Sequence, residues 1–78
     1  MKVIIVMDGG LVQDVIMSEP AEVYTIDYDI ESYDENLCKI PQREGEAEEA
    51  FVTKRVDAEV NPDRVNQLAA VIDEHMNV

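Results

Sequence analysis

The sequence predicts an α+β fold, an antiparallel sheet of three to four strands with one C-terminal helix packed on one face. Three observations carry that expectation. Val and Ile number eighteen against three Leu and six Ala, and β-branched side chains lose rotamer freedom in a helix. Tyr24, Ile26, Tyr28 and Ile30 alternate with Thr25, Asp27, Asp29 and Glu31, the period of a strand with one face covered. Val65, Leu68, Ala69, Ile72 and Met76 recur at helical spacing near the end of the chain. At 78 residues the chain reads as one domain, 1–78, with a β-meander over 1–31, an acidic loop over 32–48 and a strand plus C-terminal helix over 49–78.

The first element is the run Lys2, Val3, Ile4, Ile5, Val6, Met7. Continuous apolar side chains fit a strand covered on both faces, so a central place in the sheet is expected. Asp8, Gly9 and Gly10 then suggest a two-residue hairpin with positive φ. Leu11, Val12, Val15 and Ile16 would also share one helix face, but the glycine turn before them and Ser18-Glu19-Pro20 after them favour a second strand. The third strand, 22–31, has the clean alternation already described. From Ser32 the pattern lapses into Asp, Glu, Asn, Pro and Gly, read as a long loop. Residues 49–57 carry mixed signals. The stretch 46–50 favours helix, whereas Val52, Thr53 and Val56 favour strand, and strand is preferred. The last element opens on firm signals: Asn61 as N-cap, Pro62 at the first helical position and Asp63 against the helix dipole.

The opening, Met1-Lys2-Val3-Ile4-Ile5-Val6 followed by Gly9-Gly10-Leu11-Val12-Gln13-Asp14-Val15, resembles small uncharacterised bacterial proteins carried on plasmids, prophages and integrated elements. The tyrosine-bearing strand and the Asn61-Pro62-Asp63-Arg64-Val65 helix start are similar to that group as well. The likeness covers about half the chain. The group has no assigned activity, so it implies only a bacterial, mobile-element origin.

Charge excludes more than it selects. Eighteen Asp and Glu against six Lys and Arg give −12, which argues against direct nucleic-acid binding and against docking on anionic lipid. The longest apolar run is too short to span a membrane. No basic segment followed by a long apolar one opens the chain, so no signal peptide is expected and the cytoplasm is the expected location. One Cys and one His are a poor start for a zinc site, and no metal or cofactor is expected. Asp27-Tyr28-Asp29-Ile30-Glu31 opens like an EF-hand loop, but Ser32 and Cys38 occupy the positions that need Gly and a bidentate Glu. Ser18 and Ser32 lie in no nucleophile elbow, and His75 suits a helix C-terminus. Asp14, the one acid within an apolar stretch, reads as a solvent-facing strand residue. Asp8-Gly9-Gly10 lacks the residues of a phosphate loop. Cys38 beside Lys39 reads as an incidental loop thiol. No catalytic set is expected.

What remains is the acidic stretch. Glu22, Asp27, Asp29, Glu31, Asp34 and Glu35 meet no Lys or Arg between positions 21 and 36. In a strand, Asp27, Asp29 and Glu31 would share one face at about 6.8 Å per two residues, a spacing comparable with successive phosphates. The expectation is a non-enzymatic interaction protein that presents these six residues to a basic protein surface, in its sharpest form as a nucleic-acid mimic. The alternative is an oligomeric accessory or structural domain whose acidic surface serves solubility only. One helix covers one sheet face, and a homo-oligomer would cover the other.

Overall fold

A computed structural model of the chain describes residues 1–31 and 37–77. Its elements, in order, are β1 (Lys2–Met7), β2 (Ile16–Met17), β3 (Glu22–Asp27), β4 (Leu37–Ile40), β5 (Glu48–Arg55), β6 (Glu59–Val60) and α1 (Pro62–Met76). The class is α+β, but the four-stranded sheet is mixed, in the order β1-β3-β5-β4. β1 and β3 run parallel, with Lys2 beside Glu22 and Met7 beside Asp27. β3–β5 and β5–β4 are antiparallel.

The departure from an antiparallel meander starts at the glycines. Gly9 and Gly10 do take positive φ, 79° and 87°. Yet they do not fold the chain back on β1. The Gly9 N–H donates to Asp27 Oδ1 at 3.0 Å, at the far end of the neighbouring strand. A Cβ on Gly9 would meet only the movable Asp29 Oδ2 at 3.0 Å, so it is the positive φ that favours glycine here. The chain leaves the sheet there and returns to enter β3 in the same direction as β1. Of the expected second strand only Ile16 and Met17 are extended, and they pair in parallel with Glu59 and Val60 of β6 in a separate ladder. Asp14 therefore lies in irregular chain, exposed as expected.

Two further expectations change. β1 lies at the edge of the sheet, not at its centre. The expected loop over 32–48 contains β4, whose Leu37 stands opposite Phe51 and whose Ile40 stands opposite Glu48. Cys38 is thus an exposed strand residue. The strand expected over 49–57 is β5, shifted slightly toward its start.

α1 begins as the sequence predicts. Asn61 Oδ1 accepts the Arg64 N–H at 3.1 Å, Pro62 opens the first turn, and Asp63 lies in that turn with His75 in the last. The helix rests on β2 rather than across the four-stranded sheet. Its stripe is covered only in its first half. Val65, Leu68 and Ala69 are half-buried, whereas Val71, Ile72 and Met76 stand exposed.

The register assigns the two sheet faces. Val23 and Thr25 are buried on one face, where the Thr25 and Thr53 hydroxyls share a hydrogen bond and Arg55 Nη1 donates to the Val12 carbonyl at 3.3 Å. The crossover segment covers this face. Ile4, Val6, Tyr24, Ile26 and Val52 share the other face, on which Ile4 and Val6 are 58% and 64% exposed.

Candidate functional site: an acidic sheet end

The six acidic residues singled out in the sequence do not gather in one place. Glu22 opens β3, and its carboxylate accepts the Tyr24 hydroxyl at 2.6 Å. That hydrogen bond, with Lys2 close by, lowers the Glu22 pKa below its ordinary value. Asp27 closes the same strand about 17 Å further on, at 3.3 Å per residue, and points to the opposite face. The strand ends at Asp27, so Asp29 and Glu31 follow it in irregular chain and turn rather than extending a straight column. Asp34 and Glu35 lie outside the described residues.

Asp27 has a local task. Its Oδ1 accepts both the Gly9 N–H and the Asp29 N–H, each at 3.0 Å. One carboxylate thereby fastens the exits of β1 and β3 together. Half-buried and holding two amides, it is a poor candidate for contact with a partner.

The ladder adds acids that the sequence pattern did not connect. β1 and β3 finish at the end of the sheet where β5 begins, because Met7, Asp27 and Phe51 stand side by side in the register. Asp8, Glu48 and Glu49 therefore arrive beside the β3 exit, and with Tyr28 and Ile30 they line one open hollow. Asp29 lies close to Gly9, beside the same strand exits, and Glu31 follows as an exposed turn residue. Lys39 stands opposite Glu49 as a neighbouring cation. The signal that could have found Glu48 and Glu49 is non-local, since only strand pairing brings position 48 near position 8.

Cations collect at the other end. Lys2 flanks Glu22, Lys54 stands opposite Tyr24 with its Nζ 5.9 Å from the ring centre, and Arg55 makes a two-pronged pair with Asp57 at 2.8 and 2.9 Å. The β3 entry thus holds Lys2, Lys54 and Arg55 among the acids Glu22 and Asp57, whereas at the β3 exit Asp8, Glu48 and Glu49 have Lys39 and Arg43 as neighbouring cations.

Among the described residues no group of three or more His, Cys, Asp or Glu is arranged to hold a metal ion, and no helix is long and apolar enough to cross a membrane. His75, on the last turn of α1, and Ser18, beside β2, belong to different elements. An apolar hollow lined by Met1, Val3, Ile16, Met17, Val23 and Val65 separates the edge of β1 from the start of α1. It holds no paired acid and base. Compared with protein-family models, with curated proteins and with solved structures, the chain matches none.

Proposed function

We propose that this protein is a small non-enzymatic interaction protein that binds a basic surface of another protein through the acidic end of its sheet. The observation that carries the reading is the convergence of Asp8, Glu48 and Glu49 on one hollow at the end of the sheet, with Asp29 close to Gly9 beside it and Lys39 and Arg43 as the neighbouring cations. Like charges so close together cost stability, and a chain of −12 has few cations with which to offset that cost. A cationic partner relieves the repulsion on docking and is steered to the acidic end by the long-range field. In its sharpest form the partner is a nucleic-acid-binding protein, whose groove accepts carboxylates in place of phosphates. The likeness of the opening sequence to proteins of mobile elements fits a bacterial partner of that kind.

The test is capture from bacterial lysate at low salt on the immobilised protein, with elution by a salt gradient. The expected result is a basic nucleic-acid-binding protein released at moderate salt and displaced by added DNA. Retention of no protein above a bare-matrix control, or of one that salt does not release, would overturn the reading. Asp29→Asn with Glu48→Gln and Glu49→Gln is the control variant, because all three side chains are exposed. Asp27 is left in place, since its removal would also disturb the Gly9 turn.

A further inference from the structure

The outer edge of β1 is an open strand edge of a kind that folded proteins usually guard. A strand at the end of a sheet offers a row of unpaired N–H and C=O groups, commonly protected by shortness, charge or proline. The opposite edge of this sheet has all three devices: β4 is four residues long, carries Lys39 and is followed by Pro41. β1 has none of them along its centre. Four β-branched residues, Val3, Ile4, Ile5 and Val6, run in succession, and Val3, Ile4 and Val6 are 38%, 58% and 64% exposed. Beyond the β3 ladder, β1 pairs with no other strand among the described residues.

We infer that a second copy of this chain docks on that edge, β1 against β1 in antiparallel order about a two-fold axis, so that the two sheets become one. Charge makes the edge self-complementary. Lys2 stands at one end of the strand and Asp8 directly after the other. A two-fold axis normal to the sheet keeps every side chain on its own face, so residues that stand opposite each other must both be even or both be odd in number. Centred on Ile5, the axis sets Ile4 opposite Val6 of the partner subunit and Lys2 opposite Asp8 of the partner subunit. A parallel arrangement would set Lys2 beside its own copy. The antiparallel one also carries the two acidic sheet ends to opposite extremes of the joined sheet, each on the side of the partner's Lys2 and the partner's Lys54. A chain of −12 can then self-associate without bringing its acids together.

What the pairing satisfies is the open row of N–H and C=O groups along β1; the adjoining sheet face, with Ile4, Val6, Tyr24, Ile26 and Val52, is continued across both copies.

Sedimentation velocity of the purified full chain across a concentration series tests the inference without any other protein present. A dimer at tens of micromolar is expected. Lys2→Glu and Asp8→Lys should each weaken it about tenfold, since each change turns two attractions per dimer into repulsions. Combining the two should restore the wild-type affinity. Val6→Lys, which places a charge on the strand edge, should leave a monomer, with circular dichroism confirming that it is folded. A wild-type monomer throughout the series would overturn the inference. So would a dimer that neither single charge reversal weakens, or one that the combined variant fails to restore. Lys2→Glu leaves the acidic end intact, so failure here and failure of the partner-binding reading are separately visible.

Discussion

Asp27 fastens this fold at one point, because one oxygen holds two backbone amides where β1 and β3 end. Asp27→Ala leaves both amides without that acceptor and should cost about 1–3 kcal/mol in urea unfolding. A change within a few tenths of a kcal/mol would show that the exits are held by something else. Asp27 was legible in the sequence only as one acid among six. Its function depends on Gly9 approaching from another strand, and alternation along 22–31 cannot reveal a partner eighteen positions away. Glu22 gives a prediction in pH. The Tyr24 hydroxyl and then Lys2 lower its pKa below the ordinary 4.5, so its contribution to stability is present above that value and is lost as pH falls through the lowered one. Asp57, lowered chiefly by its hydrogen bond from Arg55, acts with the same sign. Tyr24→Phe removes the donor, and the Glu22 carboxyl should then titrate closer to 4.5 in an NMR pH series. An unmoved titration would place the cause in the neighbouring cations, Lys2 first, with Lys54 and the N-terminal amine.

At the scale of elements, local signals were read well and non-local ones were not. The start of α1 was legible because a cap, a proline and an acid act within one turn. Asn61→Ala should cost about 1 kcal/mol, since it removes the acceptor for the Arg64 N–H. Hydrogen exchange should show the loss spread over the first turn of α1, and an unchanged first turn would contradict this account of the cap. β1 was legible as a strand but misplaced. A run apolar on both faces predicts a central strand, and the chain instead leaves it at an edge with Ile4 and Val6 open. Only Ile16 and Met17 of the second expected strand are extended, because the glycine turn is tied to Asp27 rather than closed on β1. The acidic end was half legible. Asp29 and Glu31 stood out as uncompensated charge, while Glu48 and Glu49 join them through pairing of β5 with β3.

Over the whole molecule, extension and charge belong together. The radius of gyration is 15.5 Å, against about 11–12 Å for a compact domain of this length. Val23 and Ala50 are the buried apolar side chains of the described core, and α1 rests on β2 rather than adding to it from the sheet face. Repulsion among eighteen carboxylates opposes further collapse. Raising salt from low to moderate should therefore increase the melting temperature, and a steady fall over that range would contradict the charge argument. Within that field Asp8, Glu48 and Glu49 concentrate acid at the β3 exit. The central claim is that the acidic end is where a partner binds. It is tested most directly by measuring the affinity of the captured basic protein across a salt series, for the wild type and for the variant with Asp29→Asn, Glu48→Gln and Glu49→Gln. The account predicts affinity about tenfold weaker at low salt for the variant, with a shallower dependence on salt. Equal affinity and an equal slope for the two proteins would contradict it.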